Sequence, residues 1–238
     1  MMNDDSEFSK LEREVSLLKE WLDKNHIGSE RFPRSIKKYT GCIKKHKRWN
    51  NLSSSLVEFL RSKPLSDWTE SDAALCDKAF HFDFFELSLL KPLSFDELLD
   101  LANQATAPIA EGFQLYLAMV CGKLQESRQQ VVLATRLFEN AQSFRVQLEV
   151  LKVLAENGSA VTDQCARKMW NSGDSEESVD WPQESVRQIA ILATLRPIKA
   201  QKSLLDEYIA IALKSEYPSV VSCAKTIAIL RDYGTKRH

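Results

Sequence analysis

Apolar side chains in this chain return every three to four residues along most of its length, and that spacing constrains its fold more tightly than any other feature. Leu11, Val15, Leu18 and Leu22 step by four, three and four, with Trp21 beside them, which predicts a helix from about Glu7 to Asn25. Residues so spaced lie above one another on one helical face, whereas a strand would need alternation. The stripe needs a covering surface, either the rest of the domain or a second copy in a two-helix seam. Residues 7–25 are therefore a candidate homodimer contact. His26-Ile27-Gly28 reads as the C-terminal stop of this helix.

Glycine usage points the same way. There are 7 Gly in 238 residues, well under half the usual share of about 7%. Phosphate-cradling loops and tight hairpins depend on glycine, because it alone takes positive φ freely. With 44% apolar and 27% charged residues the chain is otherwise an ordinary globular one. The acidic N-terminus has no apolar core of a signal peptide. The longest uncharged stretch, Gly112 to Gly122, has 11 residues, too few to span a bilayer. Both predict a cytoplasmic location and no membrane partner. Five cysteines form no C-x-x-C pair, so neither zinc nor a disulfide framework is expected. Cys76, Cys121, Cys165 and Cys223 fall within apolar stripes and read as small core residues.

Helix starts are marked by Ser55-x-x-Glu58, Thr69-x-x-Asp72 and Ser94-x-x-Glu97, each a capping-box pattern or its Asp variant. Pro64, Pro92 and Pro108 fall between the expected helices. In the C-terminal half, the segments around Phe113–Ala118, Phe144–Glu149, Val186–Ile191 and Val220–Lys225 share a pattern. The spacings from Gln114 to Arg145, Arg187 and Val221 are 31, 42 and 34 residues. Second helices are expected between them, at about Arg128–Asn140, Val161–Asn171 and Gln201–Lys214. Two helices per period of such length is the mark of a helical solenoid. The insert Ser172-Gly173-Asp174-Ser175-Glu176-Glu177-Ser178 reads as a loop that stretches one period.

At these residues the chain resembles HEAT-type repeats, whose helix often carries V-R-x-x-A-x-x-x-L. Val186-Arg187-Gln188-Ile189-Ala190-Ile191-Leu192-Ala193-Thr194-Leu195 is the best match, its final Leu shifted by one. Ser219-Val220-Val221-Ser222-Cys223-Ala224 follows, without the Arg. The resemblance covers about residues 112–233. The expected fold is all-α: stacked antiparallel helix pairs, as a HEAT-like solenoid or an irregular non-repeating bundle, after an N-terminal helical region. The expected division is 1–62, a helix plus a basic segment, and 63–238, the repeat-like domain.

Charge is split along the sequence. From Arg31 to Val57 there are eight cations and no carboxylate; between Asp67 and Glu111 ten carboxylates face Lys78 and Lys91. Arg31, Arg34, Lys37, Lys38, Lys44, Lys45, Lys47 and Arg48, with Trp49 available to stack on a base, are the candidate nucleic-acid contacts. Tyr39 and Trp49 taken singly read as core residues. The acidic stretch could receive a basic partner, as an immunity or chaperone-type protein does, or the basic segment itself.

No nucleophile elbow, zinc motif or phosphate loop occurs. His81 and Asp83, among phenylalanines, read as the polar side of an amphipathic helix. Asp96, Glu97 and Asp100 complement a helix N-terminus. Some HEAT-fold proteins of this size resemble DNA glycosylases that use Trp and Asp in a basic groove. Trp170, Asp174 and Trp181 echo that arrangement, but in an acidic stretch. The sequence thus points to a non-enzymatic interaction module without cofactor or metal. It would bind a protein through its repeats, with DNA or RNA as a further partner. The rival is a nucleic-acid-processing enzyme on the same scaffold.

Overall fold

The computed structural model describes residues 6–24, 46–83, 89–106, 110–172 and 182–235, which hold eleven α-helices and no strand. The chain divides into two compact units, Met1–Val120 and Cys121–His238. This boundary differs from the division expected at 62/63. Compactness follows apolar contact, and the helices on either side of residue 62 belong to the same unit.

In the first unit, α1 (Glu7–Lys24) lies against α2 (Lys47–Ser62). Leu11, Val15, Leu18 and Leu22 are all buried, Leu11 and Leu18 completely. The α1 stripe offered above as a cap or as a seam between copies is thus covered by its own chain. Burying each such leucine contributes about 1.5–3 kcal/mol. Trp21 stacks on His46 at 4.3 Å, and His46 N-caps α2 through Nδ1, which accepts from the Arg48 amide. The start expected at Ser55 is therefore mid-helix. The buried stripe Trp49, Leu52, Leu56, Phe59 begins upstream of Ser55 and carries the helix with it.

The two other expected starts are capping boxes: Thr69 with Asp72 opens α3 (Glu70–Phe80), and Ser94 with Glu97 opens α4 (Phe95–Gln104). A 3₁₀ turn, Leu65–Asp67, follows Pro64. The unit closes with α5 (Glu111–Cys121). A row of aromatic rings runs through it, with Phe59–Trp68 at 5.9 Å, Trp68–Phe113 at 5.5 Å, Phe113–Phe80 at 5.7 Å and Phe80–Tyr116 at 4.2 Å. Gly112 sits so close to Asp77 that an added Cβ would collide with its carboxylate.

The second unit contains α6 (Ser127–Asn140), α7 (Phe144–Glu156), α8 (Val161–Asn171), α9 (Glu184–Leu195), α10 (Lys202–Ala212) and α11 (Pro218–Thr235). Helix α7 packs on α6, α8 and α9, and α9 packs on α7, α8, α10 and α11. One row is thus α7, α9, α11. Long side chains join the other: Lys168 of α8 lies over Phe138 of α6, and Trp170 of α8 meets Tyr208 of α10 edge-on at 4.9 Å. These are stacked helix pairs. Gly158, at φ +61°, ends α7 in a Schellman turn, with Ser159 N–H on the Leu154 carbonyl and Gly158 N–H on that of Ala155.

Three helices share an arrangement at their fourth residue. There Gln114 of α5, Gln147 of α7 and Arg187 of α9 are buried polar groups that turn back to a carbonyl of the preceding connection: Ala105, Ala141 and Pro182 respectively. The sequence comparison had paired Gln114 and Arg187 with Arg145. In the structure Arg145 is exposed and Gln147, two residues on, takes that place. Position along the helix, not residue type, sets the equivalence, because a connection's buried carbonyl needs a donor at that height.

Candidate binding cleft

Of the nine candidate nucleic-acid contacts, Arg31, Arg34, Lys37, Lys38, Lys44 and Lys45 lie outside the described residues, as does Tyr39. Lys47 is exposed and Arg48 half-buried in the first turn of α2. Trp49 is only 6% exposed, so its ring is a core group of α2 and offers no face to a base.

Three carboxylates of the acidic stretch, Asp72, Asp83 and Glu97, help to build the first unit. Asp72 accepts from the Thr69 amide and hydroxyl and from Lys63 Nζ at 2.7 Å. Burial pulls its carboxyl upward, but the Lys63 and Thr69 contacts outweigh this and hold it below the ordinary value. Glu97 binds Arg61 at 2.8 Å and both donors of Ser94. Asp83 does not share a helical face with His81: α3 ends at Phe80, His81 is exposed, and Asp83 is buried beneath the turn. It accepts from the Leu89 amide at 2.8 Å and from the Tyr116 hydroxyl. These carboxylates close loops and start helices. A concavity of about 420 Å³ at the start of α1, lined by Glu7, Phe8, Lys63 and Asp72 among others, has its charges matched in the same way, with Lys10 on Glu7 and Lys63 on Asp72.

The second unit carries a larger opening, a cleft of about 550 Å³. Trp170 and Gln188 line it as buried residues, 7% and 4% exposed, while Glu207, Ala210, Ile211, Lys214 and Glu216 are exposed. Its position follows from the helix order. The last turn of α8 supplies Trp170, the first two turns of α9 supply Glu184 and Gln188, α10 supplies Glu207 and Ile211, and the turn before α11 supplies Glu216 and Tyr217.

Glu184 is held in a fixed pose. One carboxylate oxygen accepts from Gln188 Nε2 at 2.8 Å, one helical turn along, and the other from the Tyr217 hydroxyl at 3.1 Å. The hydrogen bond to Glu184, partial burial and the nearby Glu216 charge push the Tyr217 phenol above its ordinary value. Glu207 is matched by Arg167 of α8, which also binds Asp163. Glu184 and Glu216 have no cationic partner among the described residues. The Gln188 amide orientation is fixed by its bond to Glu184, which leaves Oε1 buried without a hydrogen-bond partner. Beneath the same end of α9, Arg187, 1% exposed, donates to the carbonyls of Pro182 and Ser172. It ties α9 to the end of α8.

An aromatic floor, two carboxylates without a cation and one acceptor without a donor can receive an apolar group that carries positive N–H donors. Among the described residues no cluster of three His, Cys, Asp or Glu could hold a metal ion, and no helix is long and apolar enough to cross a membrane. The chain matches no family model, no curated protein and no solved structure.

Of the cleft residues, only Trp170 was singled out in the sequence, and for another chemistry. The i, i+4 pair Glu184/Gln188 was visible inside the α9 pattern. Glu207, Glu216 and Tyr217 join it only through tertiary packing.

Proposed function

We propose that the protein is a non-enzymatic interaction module that holds a protein partner at the cleft of its second unit. The observation that carries this is a cleft of about 550 Å³ with a buried Trp170 and an exposed Ile211, 40% accessible, at its edge. Stacked helix pairs commonly present such surfaces to partner chains. The HEAT-like resemblance supports the same reading. The glycosylase-like rival needs cations around its tryptophans, and the cleft beside Trp170 is lined by three carboxylates and one lysine. That sign opposes a phosphate backbone.

A second reading, favoured by eight cations without a carboxylate over residues 31–57, gives the basic segment a nucleic-acid contact. Cytoplasmic residence belongs to both readings. The cleft reading is tested by recovering partners from the native host with the wild-type chain and with Ile211→Asp. Capture lost in the variant, at unchanged thermal midpoint, supports it; equal capture by both overturns it. The basic segment is tested by DNA and RNA binding at two salt concentrations. Affinity that falls steeply with salt supports the contact, and binding that ignores salt, or none, removes it.

A further inference from the structure

We infer that the cleft of the second unit takes an arginine side chain from a basic segment of its partner; this rests on the interaction reading above and names the group that would be recognised. Three independent features meet there. The first is charge. Glu184 and Glu216 have no cationic partner among the described residues, and Glu207 alone is matched, by Arg167. The second is hydrogen bonding. Gln188 is 4% exposed and its Oε1 has no donor, an unfavourable state for a buried acceptor. The third is shape: the half-buried Tyr217 ring lines the cleft, and the buried Trp170 closes it.

A guanidinium answers all three. It is planar, stacks on aromatic faces, and has five N–H donors to divide between a carboxylate and an amide oxygen. An ammonium carries the charge, but its compact, hydrated head neither stacks nor forks. The cleft volume exceeds one side chain, so flanking residues of the same segment enter too, over the apolar edge at Ile211.

The test uses the full chain and three short capped peptides, acetyl-Gly-Xaa-Gly-amide with Xaa arginine, lysine or citrulline. Binding is followed by NMR at the Trp170 indole N–H and the Gln188 side-chain amide. The arginine peptide should shift both signals saturably. Citrulline, the same shape without charge, and lysine should each bind about tenfold more weakly. Glu184→Gln and Glu216→Gln should each weaken the arginine peptide, while Lys63→Gln, in the other unit, should not. Equal binding of arginine and citrulline, or shifts that never saturate, would overturn the inference. It would also fall if the Ile211-dependent partner were captured while the arginine peptide left both signals unmoved. In that case the partner reading would survive alone.

Discussion

Carboxylates at the caps and turns of the first unit and those at the cleft of the second are used differently. In the first, Asp72, Asp83 and Glu97 each accept two or more hydrogen bonds that cap a helix or close a turn, and two of them also bind a cation. In the second, Glu184 accepts only neutral donors and Glu216 faces the cleft without a cation. The longer acidic stretch, ten carboxylates between Asp67 and Glu111, lies in the first unit, yet the cleft whose carboxylates lack a cation among the described residues lies in the second. Local composition therefore misplaces a binding surface whenever the carboxylates it counts are already at work in the fold.

The largest effect that would break this contrast concerns Asp83. Asp83→Ala leaves the Leu89 amide and the Tyr116 hydroxyl without their buried acceptor, and should cost about 3 kcal/mol, read as a lowered denaturation midpoint. A change under about 0.5 kcal/mol would remove Asp83 from the structural set. Next is Asp72→Ala, which loses the capping box and the Lys63 bond, for about 1–2 kcal/mol. Against these, Glu216→Gln in the cleft should stay within about 0.5 kcal/mol of wild type. A larger loss would show that this carboxylate too supports the fold.

Acid titration sharpens the comparison. The Arg61 hydrogen bond, then the Ser94 donors, hold Glu97 at about 2. Its folded value lies below the unfolded one, so any stability from the contact is complete above the unfolded value of about 4.3 and lost as pH falls towards 2. The contact is exposed, so salt should weaken it. Measured by NMR, the Glu97 value should return towards normal in Arg61→Met. No movement would mean that Ser94 alone holds it.

The thiols give the smallest signal. Burial pushes Cys76 well above its ordinary value, Cys121 to about 12 and Cys165 to about 11. Cys223, expected in the core, is half-buried and raised less far. In a Cys42→Ser chain at pH 8, Cys223 should label first and the other three only as their unit opens. Equal rates at all four would contradict the burial.

Helix identity was legible in the residues because it depends on short-range spacing. The expected limits Val161–Asn171 match the observed ones, and α1 begins at the expected Glu7. What failed were readings that needed neighbours. Ser55 looked like a cap because its pattern is local, but a stripe beginning at Trp49 extends the helix through it. Trp49 looked available for stacking beside its cations, and packing buries it. The register of the fourth-residue donors shifted from Arg145 to Gln147, since the carbonyl each one serves lies in the connection before its helix.

By itself, then, the order of residues determined that this chain is helical, where most helices run and which faces must be hidden, because each depends on interactions spanning a turn or two. Only the tertiary structure decided which charges remain unmatched and which polar atoms share a cavity. Glu184 and Gln188 meet Glu207, Glu216, Tyr217 and Trp170 through the stacking of α8, α9 and α10, and no local spacing encodes that distance.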